Sequence, residues 1–564
     1  MTRPAGGNAA GKRGGLPIIV LVIGCWAMAF STASVHADER SSERETLPEI
    51  PSSDRLEEMG ARVGKIVLIK ENVFDPSRPG ENKWLYRLAN RWHIVTRDSA
   101  IRQQLLFREG DRFSKRLLDE SARILRANEY LYTATVKPLA YENGVVDVVV
   151  RTRDLWTLVP EVSISRSGGE NEYRFSLSEE NLLGRGAELQ LSYEEDVDRK
   201  ATTFEFSDEH FANSWVSVGL GLSDTSDGKS AMLDVIRPFY ALDARRSAGI
   251  RLLDDEREER LYDLGEKVAE FARDTERYSV FGGWSSGLDD GWVRRWTAGF
   301  VYDDQVFSEV REPDLPAAIP EDRKLVYPFI GFELLQDRFE VTENRDQIGR
   351  PEDFYMGQRL RARLGYAAEA FGSDRSSIVY SLQATRGFGD IDSKALFLSA
   401  SVSGRVDDGD LVNSVTRFGA RYYDQISNKR LFFMTLDTAV GHELDLENPI
   451  ELGGDTGLRG YPLRYQAGDA SLLFTVEERY FTDWYPFRLF RVGGAIFADA
   501  GRTWGGNPVR GDSLGWLRDV GFGLRLGPTR GGGHRVVHVD IAFPLDGDPS
   551  IDKVQVLLES KSTF

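Results

Sequence analysis

Five histidines follow residue 37, namely His93, His210, His442, His534 and His538, and they make serine–histidine hydrolysis the first chemistry to weigh. Such a site needs its serine on a tight, glycine-flanked elbow, and none of these histidines accompanies one. By two-residue alternation His538 falls on the same side as Asp540, which reads as the polar lining of an enclosed space. The sequence carries no Walker loop, no dinucleotide glycine fingerprint and no metal-ligand spacing. Its single cysteine, Cys25, excludes a disulfide framework or a cysteine-ligated cluster. The expectation is a protein that is not an enzyme and uses no cofactor and no metal.

A different chemistry is available to Arg459, which sits in Gly453-Gly454-Asp455-Thr456-Gly457-Leu458-Arg459-Gly460-Tyr461. Glycines let backbone fold tightly where side chains would not fit. A guanidinium is a planar fork that binds carboxylates through two parallel hydrogen bonds, a geometry lysine lacks. On spacing alone, the segment better suits an ordinary arginine in a glycine-rich outer loop.

The elements that would carry this arginine follow from composition and periodicity. The 564 residues have a net charge of -18, 41% hydrophobic residues and a mean hydropathy of -0.36. That is too polar for a bundle of membrane helices, and without a basic stripe nucleic acid is not a partner. Arg3, Lys12 and Arg13 precede the apolar run from Leu16 to Phe30, and Val35-His36-Ala37 offers a cleavage site. Residues 1–37 therefore read as a signal peptide, the apolar run being short for a spanning helix. Val22-Ile23-Gly24-Cys25 also resembles a lipoprotein cleavage box. Loss of residues 1–37 removes three positive charges and no negative one, moving -18 to -21.

Residues 38–61 are charged and proline-punctuated, and read as a flexible linker. Residues 62–157 alternate between strand and helix signals. Lys65 to Ile69 is strand-like, Trp84 to Phe107 mostly helical, and Ser114 caps a second helix through Leu117, Leu118, Ser121 and Leu125. Tyr132 to Val136 and Val145 to Arg151 read as strands around a turn at Asn143-Gly144. From residue 158 to 564 two-residue alternation takes over. Val216, Val218, Leu220 and Leu222 alternate with Ser217, Gly219, Gly221 and Ser223, and Ile378 to Thr385, Leu396 to Ser403 and Val537 to Phe543 repeat the pattern. One apolar face and one small or polar face, with Trp215, Trp284, Trp292, Trp296, Tyr380 and Trp484 near strand ends, suit a transmembrane antiparallel β-barrel. Roughly 405 residues at about 25 per strand and loop give about sixteen strands. Glu266 to Arg277 could be helical; long charged strands or a loop is the preferred reading.

Two blocks carry a family resemblance. Leu106-Phe107-Arg108-Glu109-Gly110-Asp111-Arg112-Phe113, then Leu117, Ser121, Arg123, Leu125 and Tyr130-Leu131, resembles the middle of a polypeptide-transport-associated (POTRA) domain. Its strand–helix–helix–strand–strand (βααββ) order matches the α+β reading of residues 62–157, and one copy fits. Asp111 after Gly110 reads as a turn residue rather than a ligand. The 453–461 segment, Gly468-Asp469, Glu477-Glu478-Arg479-Tyr480 and Gly494 to Gly501 resemble the bacterial surface antigen barrel superfamily. That group holds the BamA and TamA assembly factors and the two-partner secretion transporters. Glu180 to Gly186 resembles its opening hairpin and Asp540 to Leu545 its penultimate strand.

The resemblance implies a sixteen-stranded barrel in the outer membrane, with the POTRA domain in the periplasm. It implies that a loop carrying Gly454, Leu458, Arg459, Gly460 and Tyr461 dips into the lumen, where Arg459 meets Glu477 and Asp499. The last strand, with Val554, Val556, Leu558 and Phe564 on one parity, is similar to a terminal sorting signal and would close weakly on the first. Edges left there could template an incoming strand. Val145 to Val150 is one candidate edge for client binding in the POTRA domain, unless that strand is central and already paired. The implied activity is insertion or translocation of polypeptides, in a specialised or accessory role. Implied partners are unfolded or exported polypeptides, outer-membrane lipids and periplasmic or lipoprotein accessory factors. Secretion of one dedicated passenger, and a passive pore or structural surface antigen, are the alternatives.

Overall fold

The computed structural model describes residues 50–78, 80–310, 315, 319–506, 515–531, 535–549 and 551–561. The signal-peptide reading, Phe564 and His534 lie outside these residues. Within the stretch read as linker, Ser53–Glu58 forms a short helix, α1, whose cap Ser52 accepts the Arg55 amide. Leu56 is buried in the core of the module that follows, so this part of the stretch is packed rather than free.

That module contains β1 (Arg62–Glu71), α2 (Trp84–Trp92), α3 (Asp98–Arg102), α4 (Lys115–Arg126), β2 (Leu131–Glu142) and β3 (Val145–Asp154). The helical stretch expected from Trp84 to Phe107 is two helices, because His93 leaves the helix in an extended conformation. Ser114 stands at the N-cap of α4 without a side-chain capping bond. The sheet order is β1-β3-β2, with β1 parallel and β2 antiparallel to β3. Val145 to Val150 is therefore the central strand, paired on both sides, and is not an edge for a client. Its alternating Val146, Val148 and Val150 bury against Phe107, Leu118 and Leu125 of the helical layer. Gly110 adopts φ +93, and the Asp111 carboxylate accepts the Arg108 amide at 2.7 Å, a turn built from its own side chain.

Among the described residues, the rest of the chain holds a closed antiparallel barrel of twenty strands, from β4 (Leu158–Ser167) and β5 (Glu170–Glu179) to a closing strand, Gln555–Lys561. The expectation of sixteen is corrected by the hairpins at the start. Six strands of 9 or 10 residues fit between Leu158 and Arg237 because tight turns join them. An average of about 25 residues per strand and loop overlooks such economy. Glu266 to Arg277 is strand, part of a long hairpin, Arg246–Asp263 and Glu266–Asp289, that reaches past the height of its neighbours. About 10 residues suffice to span a bilayer, so the surplus stands outside it.

Large apolar side chains point outward in register. Ile330 pairs across from Leu364, and Ile496 from Phe522, and all four are about half exposed, Ile496 at 55%. Trp284 and Trp296 form an exposed cross-strand pair, and Trp215 stacks on Tyr240 at 4.2 Å. Charged residues such as Glu477, Arg479, Asp499 and Asp540 are instead buried within. An apolar exterior around a charged interior inverts the soluble arrangement, and pairing from strand to strand satisfies the ladder groups of the wall without water. The exterior is built for a bilayer.

Candidate functional site

Two inserts enter the lumen from opposite ends. From the end remote from the module comes the segment between Arg430–His442 and Ala470–Phe481, pinned as it leaves the wall. Asp445 takes a two-pronged contact from Arg405, at 2.6 and 2.7 Å, and one from Arg323 at 2.9 Å. A short pair of strands, Ile450–Leu452 and Gln466–Gly468, brackets the 453–461 turn. Gly454 and Gly460 are required by close approach. A Cβ on Gly454 would come within 2.5 Å of the Tyr461 carbonyl, and one on Gly460 within 2.6 Å of the Asp519 side chain. Leu458 and Tyr461 are fully buried in a small apolar cluster with Leu452, Tyr465 and Leu517.

Arg459 lies at the bottom of this loop. Its Nε and Nη2 donate to the two oxygens of Asp499 at 2.7 and 2.9 Å, and Nη1 donates to Glu477 at 2.7 Å. Its guanidinium sits 3.4 Å from the ring centre of Phe497. The structure thus brings Arg459, Glu477 and Asp499 together. It adds residues that spacing did not reveal. Asp540 lies 3.7 Å from Arg459 and is paired with Arg525, Asp519 accepts the Gly460 amide at 3.0 Å, and Thr475 donates to Asp499 at 2.8 Å. Arg479 donates to the other oxygen of Glu477 at 2.9 Å and stacks 3.6 Å over Phe433. Alternation put Arg479 on the Glu477 face and made Asp540 lumen-like; strand register, which a sequence does not display, sets who meets whom.

The second insert enters from the module end, where alternation alone predicts only spanning strands. Between two spanning strands, Arg323–Gln336 and Gln358–Ala367, the strands Phe339–Glu343 and Pro351–Tyr355 form a hairpin of their own. Ile348 at its tip packs among Tyr423, Leu431, Phe433, Phe481 and Val536, all facing inward. Glu352 gathers the tip by accepting the amides of Arg345, Asp346 and Gln347 at 2.8 to 3.0 Å. Burial, then the charge of Asp346, pushes its carboxyl up to about 8, against the three amides that favour its charged form. The Arg345 carbonyl accepts from Arg479 at 2.9 Å. Arg479 therefore bonds to both inserts' supports, the hairpin on one side and the Glu477 of the Arg459 cluster on the other.

The hairpin also meets the module. Arg126 of α4 donates twice to Asp353, at 2.6 and 2.7 Å, and Tyr132 donates to the Gly349 carbonyl at 2.8 Å. Arg350 donates back to the Leu131 carbonyl at 2.7 Å. A continuous chain of polar contacts runs from α4 through the hairpin and Arg479 to Arg459.

The barrel closes differently at its two ends of chain. β4 pairs with β5 at ten positions, and the closing strand pairs with Val536–Pro544 at seven. Among the described residues, β4 and the closing strand share one ladder position, Leu558 opposite Arg166. Val554 and Val556 are exposed and Leu558 is half-buried at this seam, Val554 lying just before the strand. Of the histidines, His93 pairs with Asp154 at 3.0 Å, His210 packs edge-on to Trp215 and His538 is buried on the lumen side.

No family model matches the sequence, and no curated protein matches it. Among solved structures, the chain is similar to BamA from Haemophilus ducreyi lacking POTRA domains 1–3, at 13% identity and a TM-score of 0.37, over 88% of this chain and 84% of that one. It is also similar to CdiB from Acinetobacter baumannii, at 12% identity and a TM-score of 0.40, over 89% and 74%. CdiB from Escherichia coli aligns at 12% identity and a TM-score of 0.35, over 92% of each. Likenesses of this degree carry no argument about activity.

Proposed function

We propose that this chain is an outer-membrane barrel that inserts or translocates polypeptides, with the 62–157 module as a single periplasmic POTRA domain. The observation that carries the reading is the seam. Among the described residues, one ladder position joins β4 to the closing strand, where their other partners hold ten and seven. Backbone donors and acceptors left at such a junction can pair with an incoming strand. Pairing and folding of the client supply the free energy, as the sequence holds no nucleotide-binding loop.

The lumen supports the same reading over a passive pore. Arg459 with its carboxylates fills it from one end, and the hairpin tip with Ile348 from the other. The role proposed is a specialised or accessory one. Clients are unfolded or exported polypeptides, and lipoprotein or periplasmic accessory factors belong to the same proposal.

The test uses the purified protein in liposomes offered an unfolded barrel client, with protease-protected, heat-modifiable client folding as the readout. Acceleration over empty liposomes, lost in Arg459→Ala, is expected. No acceleration for several clients, together with a large open conductance that Arg459→Ala leaves unchanged, would replace the proposal with a passive pore.

A further inference from the structure

Helix α2 lies at the module end of the barrel, and its flanks are tied to barrel turns on both sides of the seam. Before it, Glu81 accepts from Arg530 at 2.6 Å, and Arg530 also donates to the Val73 carbonyl at 2.7 Å. Within it, the Tyr86 hydroxyl donates to the Phe487 carbonyl at 2.7 Å. After it, the Arg97 amide donates to Gly184 at 2.9 Å, and Asn181 donates to Thr96 at 2.9 Å. Arg530 and Phe487 belong to turns on the closing-strand side of the seam, Asn181 and Gly184 to the turn after β5 on the other.

The helix has two chemically distinct faces. Tyr86 stacks on Phe74 at 4.3 Å, and Asn90 exchanges hydrogen bonds with the Phe74 backbone, so this side is committed to the module. At about 100° per residue, Trp84, Leu88 and Trp92 lie within about 80° of one another on the opposite side, flanked by Arg87 and Arg91. Trp84 is 63% and Trp92 71% exposed, and both arginines are exposed. The helix contains no acidic residue, in a chain whose net charge is -18. The turns it touches carry exposed apolar residues, Phe487 on one side and Leu183 on the other.

We propose that the α2 face formed by Trp84, Leu88, Trp92, Arg87 and Arg91 seats on anionic phospholipid of the leaflet nearest the module, at the foot of the seam. Tryptophan at both ends of a short amphipathic helix, with arginines between them, is the composition of an interfacial helix. Each basic residue near an anionic surface adds attraction that a zwitterionic surface does not supply. The seat would hold the module against the bilayer where the client strand enters. The inference rests on the membrane-barrel reading of the proposed function, but not on its insertase activity.

The test uses the full chain with Cys25→Ser and Trp92→Cys, the new cysteine carrying an environment-sensitive fluorophore. The protein is reconstituted in vesicles of zwitterionic lipid with or without phosphatidylglycerol. Spin-labelled lipids quench from the membrane and iodide from water. Two reference sites are labelled in parallel, Ile330→Cys on the barrel exterior and Leu139→Cys on exposed β2. Strong lipid quenching at position 92 in phosphatidylglycerol vesicles is expected, cut by about half or more in Arg87→Ala/Arg91→Ala. Ile330→Cys should be lipid-quenched throughout, and Leu139→Cys open to iodide. Iodide access at position 92 in every vesicle, with Ile330→Cys still lipid-quenched, overturns the seat and leaves the barrel reading standing. Iodide access at both positions overturns both. Shielding at position 92 only when unfolded client is added, in detergent as in vesicles, assigns the face to polypeptide instead and also overturns the proposal.

Discussion

Removing the guanidinium of Arg459 would leave Glu477 and Asp499 facing each other across a closed space without their shared cation. Losing one partner of a buried ion pair costs about 3–5 kcal/mol, because the remaining charge stays desolvated. Arg459→Ala is therefore expected to unseat the 453–461 loop, read as faster proteolysis of that segment and a lower urea midpoint of the purified barrel. Arg459→Lys should recover only part of it, since an ammonium cannot span Asp499 and Glu477 at once. Equal resistance of wild type and Arg459→Ala would show the loop held by its apolar contacts, Leu458 and Tyr461, alone. The Arg459 loop and its partners Glu477 and Asp499 came from the family resemblance of their blocks, since spacing alone favours an ordinary outer-loop arginine. Asp519 and Arg525 were not legible, because their roles depend on strand register, which no local pattern records.

At the scale of elements, the 339–355 hairpin connects what the sequence left separate. Its strands hold five residues each, half of what a bilayer crossing needs, and one begins with Pro351. That shortness was the available signal, hidden by alternation that looks like any other strand of the barrel. Arg126 and Asp353 make the tie between module and hairpin, both mostly buried. A hydrogen bond to a charged group contributes about 1.5–3 kcal/mol. Arg126→Ala is expected to speed hydrogen–deuterium exchange across 344–353 without changing exchange in the strands of the wall. Unaltered exchange in the hairpin would mean that Tyr132 and Arg350 suffice to dock it. The module's layered order was readable from its helical and two-residue periods. Which of its strands lay in the middle was not, since Val145 to Val150 has the same alternation in a central strand or at an edge.

For the molecule as a whole, the barrel was legible, because the two-residue period constrains it strongly. Strand number was not, since short hairpins and one long extension average to a misleading mean. The seam was expected from the resemblance, and its extent is a matter of pairing: among the described residues, one position at Leu558 and Arg166, with Trp156 bonded to the Arg530 carbonyl at the module end. In the proposed function, a client strand pairs at this junction. Ladder partners have Cα atoms about 4.5–5.5 Å apart, within disulfide reach. The decisive measurement is client folding in liposomes by an Arg166→Cys/Leu558→Cys protein that also carries Cys25→Ser. With the disulfide formed, acceleration of client folding should disappear, and reduction should restore it in the same sample. Full acceleration with the seam covalently closed would contradict the account.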